Sequence, residues 1–232
     1  MDEIDDDQHP VIEILFQDEF FIIVNKPSGL LVHAYKECTD QINLMKLVRL
    51  QTGHYLYPLH RIDRPVSGIV IFGINKEASS KLKDQWHDTS TEKEYLVLVR
   101  RDITEPGTFN FALSNDNKVK QEAVTHYTPI KNYGDWNTLL KVTIDTGRKH
   151  QIRRHFSRRC HQVIGDTAHG KGNINRYFRE HYNLHRIFLH SHRFKFKHPM
   201  TKAHIEIHCP LPVELENTLK KIEQRLRLET EI

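Results

Sequence analysis

The chain has 232 residues, 38% of them hydrophobic and 28% charged, with a formal net charge of +4. That length can bury a sizeable core in one large domain or two small ones, and no apolar run is long enough to span a bilayer. The three cysteines, Cys38, Cys160 and Cys209, are odd in number and far apart, which argues against a disulfide framework and against a Cys-x-x-Cys zinc site.

Residues 1–10 carry five acids and no Lys or Arg. They read as a disordered acidic tail, the reverse of a basic signal-peptide start, so a cytoplasmic protein is expected. Residues 11–232 show no repeat and no Pro/Gly/Ser linker, and are taken as a single domain. From Val11 two β-rich runs, Ile12–Phe16 and Phe20–Val24, are joined by a polar Gln-Asp-Glu turn and closed by Pro27 and Gly29. Residues 40–51 read as a helix with Leu44, Leu47, Val48 and Gln51 on one face, capped by Thr39 or Asp40 and ended by Gly53.

"HRIDRPVSG", His60 to Gly68, sets Asp63 between Arg61 and Arg64, ahead of a Ser67-Gly68 turn. It is either a surface ion cluster, worth little energetically, or a reactive carboxylate in a shaped loop. "GIVIFGI" follows as a buried strand, and Ala78, Leu82 and Trp86 then lie at helical spacing. "EKEYLVLVR" and "LLKVTID" are strands, the second placing Leu140, Val142 and Ile144 inward. After Gly147, "HQIRRHF" fits a helix start. "HRFKFKH" alternates Phe194 and Phe196 with Arg193, Lys195 and Lys197, predicting a strand with one basic face, and "HIEIHC" alternates similarly. The segment Pro212 to Leu228 is an amphipathic helix with Leu215, Leu219, Ile222 and Leu226 in one stripe and its charges arranged to suit the helix dipole. Strands outnumber helices and adjoin one another, so the expected class is α+β, with a mixed, largely antiparallel sheet and flanking helices.

Charge is concentrated. Residues 141–200 hold 14 Lys and Arg against 3 Asp and Glu, with nine of the 17 histidines and seven aromatics. Such a block suits a polyanion, and the interleaved aromatics suit RNA better than a membrane. Within it "TGRKHQIRRH" follows a strand end. Arg148, Lys149, Arg153 and Arg154 there reach phosphates, pair with Asp63, or form a solvated basic face.

Other chemistries find weaker support. Gly165 to Gly172 nearly spells a P-loop, but Gly172 stands where a hydroxyl should hold magnesium, and Asn173-Ile-Asn-Arg is a poor helix start. His181 with His185, and His190 with His192, have near-ligand spacing without an HExxH or paired cysteines. No cysteine sits in an activating context and there is no GxSxG elbow. Lys26 in "NKPSG" reads as a turn lysine, and Tyr95 as an ordinary strand aromatic.

Six segments together change the weighing: "NKPSG", "HRIDRPVSG", the Lys-x-Tyr strand, "TGRKHQIRRH", "VIGDTAHG" and "LHSHRFKFKHP". In this order they resemble the motifs of the RluA-type pseudouridine synthases, over nearly the whole chain from Val11. The Arg-Pro after Asp63, "VTHY" at Val124–Tyr127 and "GRKHQIRRH" resemble most the branch that modifies the uridine at position 65 of tRNA. The resemblance implies the pseudouridine synthase catalytic fold and the isomerisation of uridine to pseudouridine in RNA, with no cofactor and no metal. It makes Asp63 the catalytic carboxylate, Tyr95 the ring stacking on the flipped uracil, and Arg153 the cation pairing with Asp63. Arg61 and Arg64 become candidates for backbone contact and for filling the gap left by the base, with His60, Arg148, Lys149 and Arg154 as further RNA-binding candidates.

Val66 departs from the pattern by standing where the family usually has Thr. With no S4-type RNA-binding domain in the first ten residues, RNA selection is expected to rest on the catalytic domain, which fits a tRNA enzyme better than a ribosomal one. No obligate protein partner is implied. The alternatives are the same reaction on ribosomal RNA and an RNA-binding module that has lost catalysis; a metal-dependent RNA hydrolase ranks last.

Overall fold

The structure is a computed structural model that describes residues 10–34, 42–134 and 136–230. In chain order the elements are β1 (Ile14–Gln17), β2 (Phe21–Lys26), α1 (Leu44–Thr52), β3 (Tyr57–Pro58), β4 (Ser67–Gly73), α2 (Lys76–Asp84), β5 (Glu92–Arg100) and β6 (Gly107–Phe109). They continue with β7 (Leu113–Ser114), β8 (Lys120–Gln121), β9 (Thr125–Tyr133), β10 (Asn137–Ile144), α3 (Gln151–Arg158), α4 (Gly172–Tyr182), β11 (Leu189–Lys197), β12 (His204–His208) and α5 (Val213–Thr230).

Ten strands form one sheet in the order β1-β2-β4-β11-β5-β10-β9-β6, with β12 on β11 and β3 on β4; β7 and β8 form a separate hairpin. Among the described residues every pairing in the large sheet is antiparallel except β4 with β11. The mixed, largely antiparallel α+β expectation agrees with this. Successive strand residues face opposite sides. Val24, Val70, Val97 and Val142 join α1 and α3 in one core, while Ile23, Ile71, Leu98 and Leu139 face the side that α2, α4 and α5 cover.

The short parallel contact at the sheet's centre shapes the loop before β4. Gly68 lies opposite Ser191 with φ 108°, and a Cβ there would come within 2.2 Å of the Ser191 carbonyl oxygen. Ser67-Gly68 is therefore the first step of β4, not a turn; the chain turns earlier, where the Val66 amide donates to the Asp63 carbonyl at 3.0 Å.

Several boundaries differ from those the sequence suggested. The first helix starts at Leu44, and the Asn43 side chain caps it by accepting from the Lys46 amide; Thr39 and Asp40 lie outside the described residues, as do residues 1–9 of the acidic segment. Trp86 lies beyond the end of α2, its ring against His60 and Phe194.

The segment Asn173-Ile-Asn-Arg, which looked unfit to begin a helix, lies in the first turn of α4. Tertiary bonds replace the missing cap: the Asn175 amide group donates to the Asp166 carbonyl and accepts from the Gly165 amide, while Phe178 and Tyr182 are buried. Within the basic face predicted for β11, Arg193 is not a free cation, because it is bound by Glu92, Glu94 and Glu206 from the neighbouring strands.

Candidate active site

The loop holding Asp63 is anchored by the end of the neighbouring strand β2, where Lys26 pairs with Gly68 at the start of β4. Lys26, at the end of β2, is wholly buried, and its ammonium donates to the carbonyls of Pro27, Leu30 and Arg64. Burial and then Arg186 push its pKa down to about 7, while Asp63 pulls it up. Ser28 Oγ donates to the Pro65 carbonyl, the Gly29 amide to the Arg64 carbonyl, and Arg64 Nε back to the Gly29 carbonyl. Lys26 is thus no ordinary turn lysine: "NKPSG" clamps the backbone of "DRP".

Asp63 points into a cleft of about 310 Å³ lined also by Ile62, Val66, Tyr95, His150 and Arg153. Its Oδ2 accepts from Arg153 Nη1 at 2.7 Å, and the carboxylate side chain remains 21% exposed. Among the described residues no side chain donates to Oδ1.

Arg153 itself is only 5% exposed and is held chiefly from behind. Its Nε and Nη2 make paired 2.8 Å bonds to Asp166, whose side chain is 1% exposed. This planar fork matches the carboxylate and fixes the guanidinium plane. Burial lowers the Arg153 pKa, but bonds to Asp166 and Asp63 outweigh it and raise it; burial raises that of Asp166, but Arg153 and the amides of His169 and Ala168 bring it down.

The near P-loop is the turn that builds this support. Asp166 Oδ1 accepts from the amides of Ala168 and His169, and Gly165 (φ 79°) passes so close to Arg186 that a Cβ would lie 2.0 Å from its carbonyl oxygen. Read as a phosphate cradle, the segment gives Asp166 no role of its own. An aspartate followed by two turn amides was the available signal.

Tyr95 lies in β5 between Val142 of β10 and Ser191 of β11, and is 8% exposed. Burial, and behind it the charge of Asp63, pushes its phenol pKa up, while a hydrogen bond with Ser191 pulls the other way. The fold thus brings Asp63, Tyr95 and Arg153 to one cleft from three separate stretches of chain.

The remaining candidates have diverse environments. Arg61 is exposed at the cleft wall. His60 lines the cleft too, but its Nε2 accepts from the Ile71 amide and its ring packs against Trp86 and Phe194. Burial, with Lys93 adding to it, pushes the His60 pKa down to about 3. Arg148 Nε donates to the Glu122 carbonyl, Lys149 pairs with Asp116 at 2.8 Å, and Arg154 donates to the Ser114 carbonyl. These three side chains reach the β7–β8 hairpin and its flank.

Val66 is almost fully buried. Among the described residues no three His, Cys, Asp or Glu side chains converge as metal ligands, and no helix is long and apolar enough to cross a membrane.

Residues 20–158 match the model of the RNA pseudouridylate synthase family. A Vibrio parahaemolyticus protein named tRNA pseudouridine synthase C is 36% identical, over 84% of this chain and 88% of its own length. A Vibrio cholerae protein of the same name is 34% identical, over 87% and 91% respectively. Among solved structures, human RNA pseudouridylate synthase domain containing 4 superposes with a TM-score of 0.75 at 20% identity, covering 91% of this chain and 93% of that one. Human RNA pseudouridylate synthase domain containing 1 gives 0.73 at 22% identity, covering 98% of each. The chain belongs to the RNA pseudouridylate synthase family, a family of isomerases.

Proposed function

We propose that this protein converts uridine to pseudouridine in tRNA, at position 65, and that Asp63 is its catalytic carboxylate. The observation that carries the assignment is the pairing of Asp63 with a buried, doubly anchored Arg153 inside a cleft walled by Tyr95. The tRNA substrate rests on the names of the relatives.

The reaction breaks the bond from N1 of uracil to C1′ of ribose and forms a bond from C5 to C1′. C5 loses a proton and N1 gains one, so no redox change occurs. Asp63 serves either as a nucleophile or as a base that removes a proton, and both roles use an oxygen free to meet the substrate. Oδ1 meets that need, because Arg153 occupies Oδ2. The guanidinium compensates the carboxylate charge, and Asp166 keeps it from swinging into the cleft. Tyr95 offers an apolar ring against which an extruded uracil can stack. Arg61 at the rim offers a cation to the phosphates.

The test is Asp63→Asn, assayed on tRNA by pseudouridine mapping at single-nucleotide resolution. Wild type should modify position 65 and the variant should not, while both bind the tRNA. Modification by the variant would remove Asp63 from the chemistry. Modification by wild type of ribosomal RNA alone would overturn the tRNA assignment, and binding without turnover on any RNA would leave a binding module.

A further inference from the structure

A second chain of side chains, besides Arg153 and Asp166, reaches Asp63. His150 Nε2 lies 3.8 Å from Asp63 Oδ2, and His150 Nδ1 is hydrogen-bonded to His169 Nε2 at 2.9 Å. The two rings meet edge to face, 5.2 Å between centroids. His150 adopts the left-handed conformation, φ 54° and ψ 31°, immediately before α3. A non-glycine residue holds that conformation when its surroundings determine it.

His169 is placed by the same carboxylate that holds Arg153, since its amide donates to Asp166 Oδ1, and its carbonyl accepts from Ser157 Oγ. One turn therefore positions both partners of Asp63.

We propose that His150 is a positioning residue for Asp63 and that His169 fixes the tautomer in which it acts. The proposal rests on the reading of Asp63 given above. In a hydrogen bond between two neutral imidazoles one nitrogen donates and the other accepts. With His169 Nε2–H donating, His150 Nδ1 is the acceptor, and its proton sits on Nε2, facing Asp63. The Nε2–H then lies 3.8 Å from Asp63 Oδ2, and its dipole favours the ionised carboxylate without a second full charge beside Arg153.

When the pair takes up one proton, His150 becomes a cation against Asp63. A second cation beside Oδ2 makes the carboxylate a weaker base and nucleophile, and activity falls. His150 is faced by Asp63 on its loop, Arg153 of α3, His169 and Asp166 on the following turn, and Asp116 of the hairpin; Arg154 also acts on His169. Burial lowers the pKa of both histidines, and the charges of Arg153 and His169 add to that at His150 while Asp63 opposes it. The pair therefore stays neutral to below the ordinary imidazole range.

Removing the His169 donor leaves His150 Nδ1 open to a proton, with Asp63 favouring its uptake. His169→Phe should move the acid limb of the kcat/KM profile up by about one pH unit, a loss of about tenfold at the acid end, with little change on the alkaline plateau. His169→Gln, which can still donate to Nδ1, should keep the wild-type limb. Damage of a merely structural kind would lower the whole profile evenly.

Nitrogen-15 correlation spectra of the histidine rings in the wild-type protein give an independent readout, with the Nε2–H tautomer expected at His150. A wild-type acid limb in His169→Phe, or an Nδ1–H tautomer at His150, would overturn the proposal. If wild type forms no pseudouridine, the catalytic reading fails, and the ring spectra alone still decide the tautomer.

Discussion

Arg153 holds Asp166 through two of its nitrogens and Asp63 through a third, so the carboxylate at the cleft is aligned by one that never reaches it. Two neighbouring acids on a single cation are arranged by exposure. The buried one takes the fork, and the partly exposed one keeps an oxygen to which no side chain among the described residues donates.

The first prediction concerns that hidden support. Asp166→Asn leaves Arg153 buried with Asp63 as its one remaining charge partner among the described residues; complete loss of a partner typically costs about 3–5 kcal/mol, which is the upper bound here. Urea unfolding should show a loss within that bound, and pseudouridine formation should fall at least about tenfold because the guanidinium is no longer held in plane. A stability change near zero would mean that Asp63 alone suffices as partner.

Acid should destabilise the protein before its carboxylates titrate. Burial holds His60 neutral, with a pKa pushed down to about 3, and lowers that of His190 to about 4; His60 Nε2 accepts from the Ile71 amide and His190 Nδ1 is bonded to Ser67 Oγ. In the unfolded chain both protonate near the ordinary imidazole pKa of about 6.5. Between that value and the folded values the unfolded state binds more protons, so stability falls as pH falls through this window. His190→Asn should show a shallower loss of Tm between pH ~7 and ~5 than wild type. Parallel slopes would refute the assignment.

Cations of this protein should differ in their contribution to RNA binding. Arg61→Gln should lower the salt dependence of tRNA affinity by about one phosphate contact. Arg193→Gln should leave the slope unchanged, because Arg193 is bound by Glu92, Glu94 and Glu206. Filter binding over a series of salt concentrations checks both.

Val66→Thr restores the hydroxyl usual in the family, yet its gain is expected to be negative. The position is 2% exposed and belongs to the apolar core around Val24, Val70 and Ile152. An unpartnered hydroxyl there costs about 1–3 kcal/mol. Thermal melts should show lower stability, with turnover no higher than wild type.

Much of the site was legible in the residues. Asp63, Tyr95 and Arg153 stand in segments whose order and spacing are specific together, and these three meet in one cleft. Lys26 and Asp166 were not legible, although both lie in quoted segments. A lysine beside Pro27 reads as solvated until the carbonyls of Pro27, Leu30 and Arg64 close around it. Asp166 reads as a turn residue until Arg153 is found against it. His150 sat within a motif, but its partner His169 is 19 residues away, and no local pattern joins them.

By itself the sequence determined seven of the twelve described strands, most of the helices, many inward and outward faces, and the resemblance that names the chemistry. These follow from period-2 and period-3.6 alternation of apolar residues and from short-range capping, which depend only on near neighbours. Tertiary structure alone decided which charges are spent and which are free. Arg193 is neutralised across the sheet, Arg153 is shared between two acids, and Arg61 is left at the cleft wall. Charge pairing depends on distances of a few ångströms between residues 90 or 101 apart in sequence. Those distances exist only once the parallel contact of β4 with β11 has set the Asp63 loop at the centre of the sheet.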